Sequence, residues 1–135
     1  MAGWLLKTEP SEYSFADLVR ERRTVWDGVT NPLALKYLRV MRGGDGAFIY
    51  HTGSERAIVG VARVVSDPYP AGGEAGVAGW VVDVEAESWL GRPVTLAEMK
   101  GSELFVGFQL LRLPRLSVMP VPPAIWRAVE ELARQ

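Results

Sequence analysis

Residues 47–65 read AFIYHTGSERAIVGVARVV. Two runs rich in aliphatic, aromatic and β-branched side chains, Ala47 to His51 and Ala57 to Val65, flank the polar segment Thr52-Gly53-Ser54-Glu55-Arg56. Such runs suit pleated, half-buried surfaces, and a joint of five polar or small residues suits a hairpin. The pairing holds Tyr50 and His51, at the end of the first strand, beside the loop that follows them.

Outward from this hairpin the chain alternates short extended and short helical signals. Upstream, Gly43-Gly44-Asp45-Gly46 stops a helix that the sequence predicts from Pro32 to about Met41, with Leu35, Leu38 and Met41 facing inward. Ser14 with Asp17 three residues on marks a capping box for a helix through about Arg20, its apolar side Phe15, Leu18 and Val19. Before it, Trp4, Leu5 and Leu6 fill a buried strand from Gly3 to Thr8, closed by Glu9-Pro10. Downstream, Asp67-Pro68 breaks the second hairpin strand, and residues 70–76 form the most flexible-looking stretch. From Val77 to Leu90, Trp80, Val82, Val84 and Ala86 alternate with Val81, Asp83, Glu85 and Glu87, which predicts a strand near an open side of the sheet. Thr95 and Glu98 cap a helix ending at Gly101; Phe108 to Leu113 and Leu116 to Val121 read as short extended pieces. Pro122-Pro123 then opens a helix through about Ala133, whose Ile125, Trp126, Val129 and Leu132 recur at core spacing. This alternation favours one small, strongly bent sheet or barrel over residues 1–135.

Composition narrows the chemistry. The 135 residues are 48% hydrophobic and 23% charged, which is the balance of a folded domain, and no segment reaches the roughly 20 apolar residues of a membrane span. The opening residues lack a secretion-signal pattern, so a cytoplasmic location without membrane association is expected. The absence of cysteine excludes disulfides, thiolate metal sites and a cysteine nucleophile, and His51 is the single histidine. No nucleophile elbow or phosphate-binding glycine loop occurs. Neither a cofactor nor a metal is expected.

What remains suits recognition. In Thr24-Val-Trp-Asp-Gly-Val-Thr-Asn31 a large aromatic precedes turn residues, and Asn31 caps a helix for which Pro32 supplies the first position. Trp26 thus lies beside a helix N-terminus, as core filler or as a pocket wall. Asn31 and Thr52 offer hydrogen bonds, Tyr50 and His51 aromatic edges with polar tips, and Lys7 and Glu9 end the first strand. A planar polar ligand such as a flipped nucleobase fits this set through stacking and edge reading. Arg20, Arg22, Arg23, Lys36, Arg39 and Arg42, against Glu21 and Asp27, give the segment a formal charge of +4 within a chain of net charge -1. The segment is either a solvated face or a set of phosphate contacts.

In order along the chain stand Trp4-Leu-Leu-Lys-Thr-Glu-Pro10 with Tyr13-Ser14, Trp26-Asp-Gly-Val29 with Asn31, Gly44-Asp45, Tyr50-His51 and Ser117-Val-Met-Pro-Val121. Together these motifs span nearly the whole chain, and their order resembles that of the EVE domain family, a branch of the PUA-like fold. The resemblance implies an α+β architecture, a PUA-like curved mixed β-barrel with short peripheral helices, acting as a non-catalytic module that reads a modified nucleobase. Modified cytosine in DNA is the foremost ligand and a modified RNA base the alternative. It further implies Trp26 as a stacking wall; Asn31, Thr52 and the backbone of Asp27, Gly28 and Val29 as edge readers; and Tyr50 and His51 opposite. Lys7, Thr8 and Glu9 would form the floor, and Arg115 with Ser117 the rim. The expected partner is nucleic acid, bound by a monomer. Thr8 stands where the family often has serine, Thr30 where an arginine often precedes the asparagine, and Pro32 follows it. Two other readings of the pocket are an enzyme acting on a base or nucleotide and a small-molecule or protein-binding module.

Overall fold

The hydrophobic run Trp4-Leu5-Leu6 is buried on both faces of β1 (Gly3–Thr8), which lies inside the sheet, parallel to β3 (Gly46–His51) and antiparallel to β7 (Val118–Pro120). Strands covered on both faces need no polar alternation. Every residue of β3 is buried, and it pairs antiparallel with β4 (Ala57–Val64) as the hairpin sequence predicts. In this computed structural model, which describes residues 1–73 and 79–135, the remaining strands are β2 (Arg23–Trp26), β5 (Tyr69–Pro70) and β6 (Trp80–Thr95). The order is β2-β6-β4-β3-β1-β7, with β5 on β6. The mixed sheet curls into a half-barrel, whose edge strands β2 and β7 do not pair among the described residues.

Helices close the half-barrel. α1 (Phe15–Glu21) starts in the Ser14–Asp17 capping box, and α3 (Leu96–Lys100) in that of Thr95 and Glu98; both form reciprocally. α2 (Pro32–Leu38), α4 (Gln109–Arg112) and α5 (Pro123–Ala133) complete the set. Phe15, fully buried, drops onto Gly60 of β4, where any Cβ would meet the ring. The same point carries a bulge: Ile49 pairs with Gly60 and Tyr50 with Ile58, so Val59 is the extra residue that bends the strand. Trp126 of α5 stacks on Phe48 with ring centroids 3.8 Å apart, joining the chain end to the central strand.

Several expectations are corrected. α2 ends at Leu38, three residues early, because the Asp45 carboxylate accepts from Arg42 N (2.9 Å) and shapes a turn there; Met41 is still buried, while Ala34 takes the inward place expected of Leu35. Val19 is exposed. β6 does lie near an open side, next to the edge strand β2, but Val81, expected on its mainly polar face, is buried. Residues 109–112 are helical, not extended. Of the stretches 70–76 and 77–90, residues 74–78 lie outside the described residues.

Candidate functional site

Trp26 ends β2, opposite Val82 of β6. Both readings of this tryptophan hold. It is only 8% exposed and belongs to the core, yet it borders a cavity of about 260 Å³ whose other walls are Lys7, Thr8, Tyr13, Thr24, Val25 and Asp27. That volume lies just below the range of about 300–1,000 Å³ for drug-sized ligands and suits one small planar group. Tyr13 stands edge-on to the indole, centroids 6.3 Å apart at 81°, so the cavity has two aromatic sides set nearly at right angles. Burial first, and then the hydrogen bond its hydroxyl donates to Glu21 Oε1 (2.6 Å), push the Tyr13 phenol up to about 12. The ring is therefore uncharged near neutrality.

The polar groups come from strand ends. Thr8 Oγ donates to Tyr13 O (2.6 Å), which leaves the hydroxyl oxygen as an acceptor. Asp27, exposed, completes the cavity lining. Gly28 takes φ +73°, the left-handed conformation that turns the chain from β2 toward α2, and Val29 packs back on the core.

Other candidate residues are placed elsewhere. Lys7 borders the Trp26 cavity with its stem but sends Nζ to Pro114 O (2.9 Å), 5.7 Å from the centroid of the Tyr50 ring. Burial holds its ammonium below the usual lysine range. Tyr50 and Thr52 line a second cavity of about 270 Å³ on the other side of Lys7. Burial raises the Tyr50 phenol, against the lowering effect of Arg56. Glu9 Oε2 accepts from Ser11 N (2.7 Å) and Ser11 Oγ (3.0 Å), fixing the turn after β1. Asn31 Oδ1 accepts from Leu33 N and Ala34 N, capping α2, and the side chain does not reach the Trp26 cavity. His51 lines neither cavity: buried, it accepts from Phe15 N at Nε2 (3.0 Å), which puts the proton on Nδ1 facing Glu55 Oε1 (2.7 Å). Ser117 accepts from Lys7 N through its carbonyl (3.0 Å), and Arg115 is exposed beside it.

None of the six cations of residues 20–42 lines the Trp26 cavity. Arg20 pairs with Asp17 (2.7 Å) and Arg23 with Glu85 (3.0 Å). Arg22 closes α1 at φ 71°, and Arg42 turns back to Met41 O (2.7 Å). Lys36 and Arg39 border a wider groove of about 620 Å³, where the Arg39 guanidinium lies 4.4 Å over the Trp80 ring. Sequence reasoning missed Tyr13, Thr24 and Val25 as cavity walls. The β-branched and aromatic run Thr24-Val25-Trp26 was the available signal for a strand there.

The EVE domain family's sequence profile matches residues 2–132. The chain belongs to the EVE domain family. Chicken (Gallus gallus) thymocyte nuclear protein 1 is 38% identical over 79 residues, which is 50% of this chain and 33% of that protein. The chain thus spans about a third of the length of the curated relatives it matches first. This EVE domain superposes on an NMR structure from Rhodopseudomonas palustris with a TM-score of 0.93 and 35% identity, covering 99% of this chain and 94% of that one. It matches the human THYN1 protein, solved in complex with 5-methylcytosine containing DNA, with a TM-score of 0.92 and 25% identity, covering 100% and 99% of the two chains. The PUA-like architecture expected from the motifs is the one these structures share.

Proposed function

We propose that this EVE domain is a non-catalytic reader of a modified nucleobase, with modified cytosine in DNA as its ligand class and RNA as the alternative polymer. The Trp26 cavity carries the proposal. Its volume suits one base, Trp26 offers a stacking wall, Tyr13 a perpendicular side and Val25 apolar lining, while Thr8 and Asp27 supply polar atoms at its edge. A carboxylate can accept from the exocyclic amine of cytosine. Human THYN1, whose solved chain shares this fold over 99% of its length, was solved with 5-methylcytosine containing DNA, which supports carrying the ligand class to this chain.

Magnitudes constrain the mechanism. Extruding a base costs a few kcal/mol, and one aromatic stack returns about 1–3 kcal/mol. Stacking therefore offsets extrusion, and preference for a modified base rests on the contacts that its substituent and edge make with Val25, Thr8 and Asp27. The test is an anisotropy titration with single- and double-stranded oligonucleotides that are identical except for one cytosine or 5-methylcytosine, run as DNA and as RNA. The expected outcome is tighter binding of a modified strand in one polymer. Equal affinity for every modified and plain strand would defeat the proposal.

A further inference from the structure

Beyond the base cavity, on the far side of Lys7, three cations converge on one space. The cavity of about 270 Å³ is lined by Lys7, Arg56 and Lys100 together with Tyr50 and Thr52. It adjoins a third hollow of about 370 Å³ that shares Arg56 and Lys100. Among the described residues, none of these three cations forms an ion pair. Of the neighbouring carboxylates, Glu98 holds Arg92 (2.8 Å), Glu55 faces His51 Nδ1 (2.7 Å), and Glu9, whose second oxygen lies beside Gly53 of the cavity lining, accepts from Ser11 (2.7 Å). Arg56 also takes a left-handed backbone, φ 46°, which a residue with a side chain enters at a cost. Its carbonyl is fixed there by Leu96 N (2.9 Å), at the start of the helix that ends in Lys100. Lys7 Nζ donates to Pro114 O (2.9 Å), a neutral carbonyl that cancels no charge, so among the described residues the three cations lining this cavity lack a carboxylate partner, which favours an anion there.

We infer that Lys7, Arg56 and Lys100 form a phosphate-binding subsite, which receives a backbone phosphate next to the base held in the Trp26 cavity. The inference rests on the base-reading proposal for the identity of the polymer, but not for the binding of phosphate itself. Lys7 is the shared wall, so a base on one side and its flanking phosphate on the other would be held together. This gives the chain a phosphate contact distinct from the cations of residues 20–42, two of which already face carboxylates.

Two measurements test it. In the first, inorganic phosphate is titrated into the protein at millimolar concentration and backbone amides are followed by NMR. Saturable shifts are expected at Thr52, Gly53 and Arg56, and are lost in Arg56→Gln/Lys100→Gln. Amides that stay put, or that drift without saturation in both proteins, overturn the subsite. In the second, oligonucleotide affinity is measured against salt. Losing one phosphate contact should flatten the log–log slope by about 0.9 on duplex or about 0.7 on single strands and weaken binding about five- to tenfold, with the ratio of modified to plain affinity preserved. Arg56→Lys/Lys100→Arg should restore the slope, and Arg127→Gln/Arg134→Gln, an equal charge change on α5 and its C-terminal cap, should not alter it. An unchanged slope in the glutamine variant, or an equal loss in the α5 variant, refutes the subsite. Lys100 is exposed, so Lys100→Glu alone keeps the test valid should the double variant unfold. Failure of base reading shows differently, as a Trp26→Ala protein that discriminates normally while the phosphate shifts persist.

Discussion

Truncating Trp26 separates stacking from packing, because the indole serves both the core and the cavity. At 8% exposure, Trp26→Ala should cost about 3–5 kcal/mol of folding stability. That is a large part of the roughly 5–15 kcal/mol available to a domain, so binding must be read only after melting shows the variant folded. The lost stack removes about 1–3 kcal/mol from a bound base, equivalent to about 5- to 150-fold in affinity. This loss should fall on the preferred modified strand and leave the weaker electrostatic binding of plain strands in place. Trp26→Phe keeps a π face and most of the packing, so it should retain discrimination within about fivefold of the parent. Thermal melts of all three proteins, paired with anisotropy titrations on matched modified and plain oligonucleotides, read both quantities. A folded Trp26→Ala protein with full discrimination refutes the stacking role. Equal losses on modified and plain strands refute the separation of the two terms.

Gly60→Ala should drive a Cβ into the buried Phe15 ring and destabilise by about 1–3 kcal/mol, with Tm falling roughly 3–5 °C per kcal/mol; a Tm within a degree of the parent contradicts the close approach. Burial pushes the Asp45 carboxyl up, but donors at Trp4 Nε1 (2.9 Å), Arg42 N (2.9 Å) and Ala2 N (3.2 Å) outweigh it and hold the group below the usual carboxylate range. Its stabilisation is therefore present above about pH 4 and is lost as pH falls through the lower folded value, so Asp45→Asn should lose about 1–3 kcal/mol at pH 7 and show a shallower acid decline in urea unfolding. Tyr13, raised to about 12, should ionise well above the ordinary tyrosine range in an absorbance titration, and Glu21→Gln should bring it down; an unchanged titration contradicts the hydrogen bond.

Local chemistry made much of the fold legible. Both capping boxes, the Asn31-Pro32 helix start and the Gly3–Thr8 strand depend on residues within a few positions of one another, and the structure keeps them. β2 was hidden because its four residues become a strand only by pairing with β6, about 60 residues away, and two arginines precede its apolar part. The apolar run of residues 108–113 has no side-chain cap to mark it as helical, and short apolar runs do not reveal their period. The same division governs the site. Trp26, Asp27, Thr8, Lys7 and Tyr13 all lie in motifs with a recognisable order, but Tyr13 becomes a cavity wall only because the turn after β1 carries it back against the indole. His51 and Asn31 carry ligand-like polar groups, and the fold spends these on the amides of Phe15 and of α2's first turn.

The central claim, that a modified base enters the Trp26 cavity, is tested most directly at the indole itself. The Trp26 Nε1–H resonance should be followed by NMR while oligonucleotides differing at one cytosine, plain or 5-methylated, are added to the parent protein. The claim predicts a large, saturable shift of that resonance with the modified strand, matched by Thr8 and Asp27 amides and much smaller with the plain strand. A Trp26 indole that does not respond when modified DNA or RNA binds, or that responds equally to both bases, contradicts it.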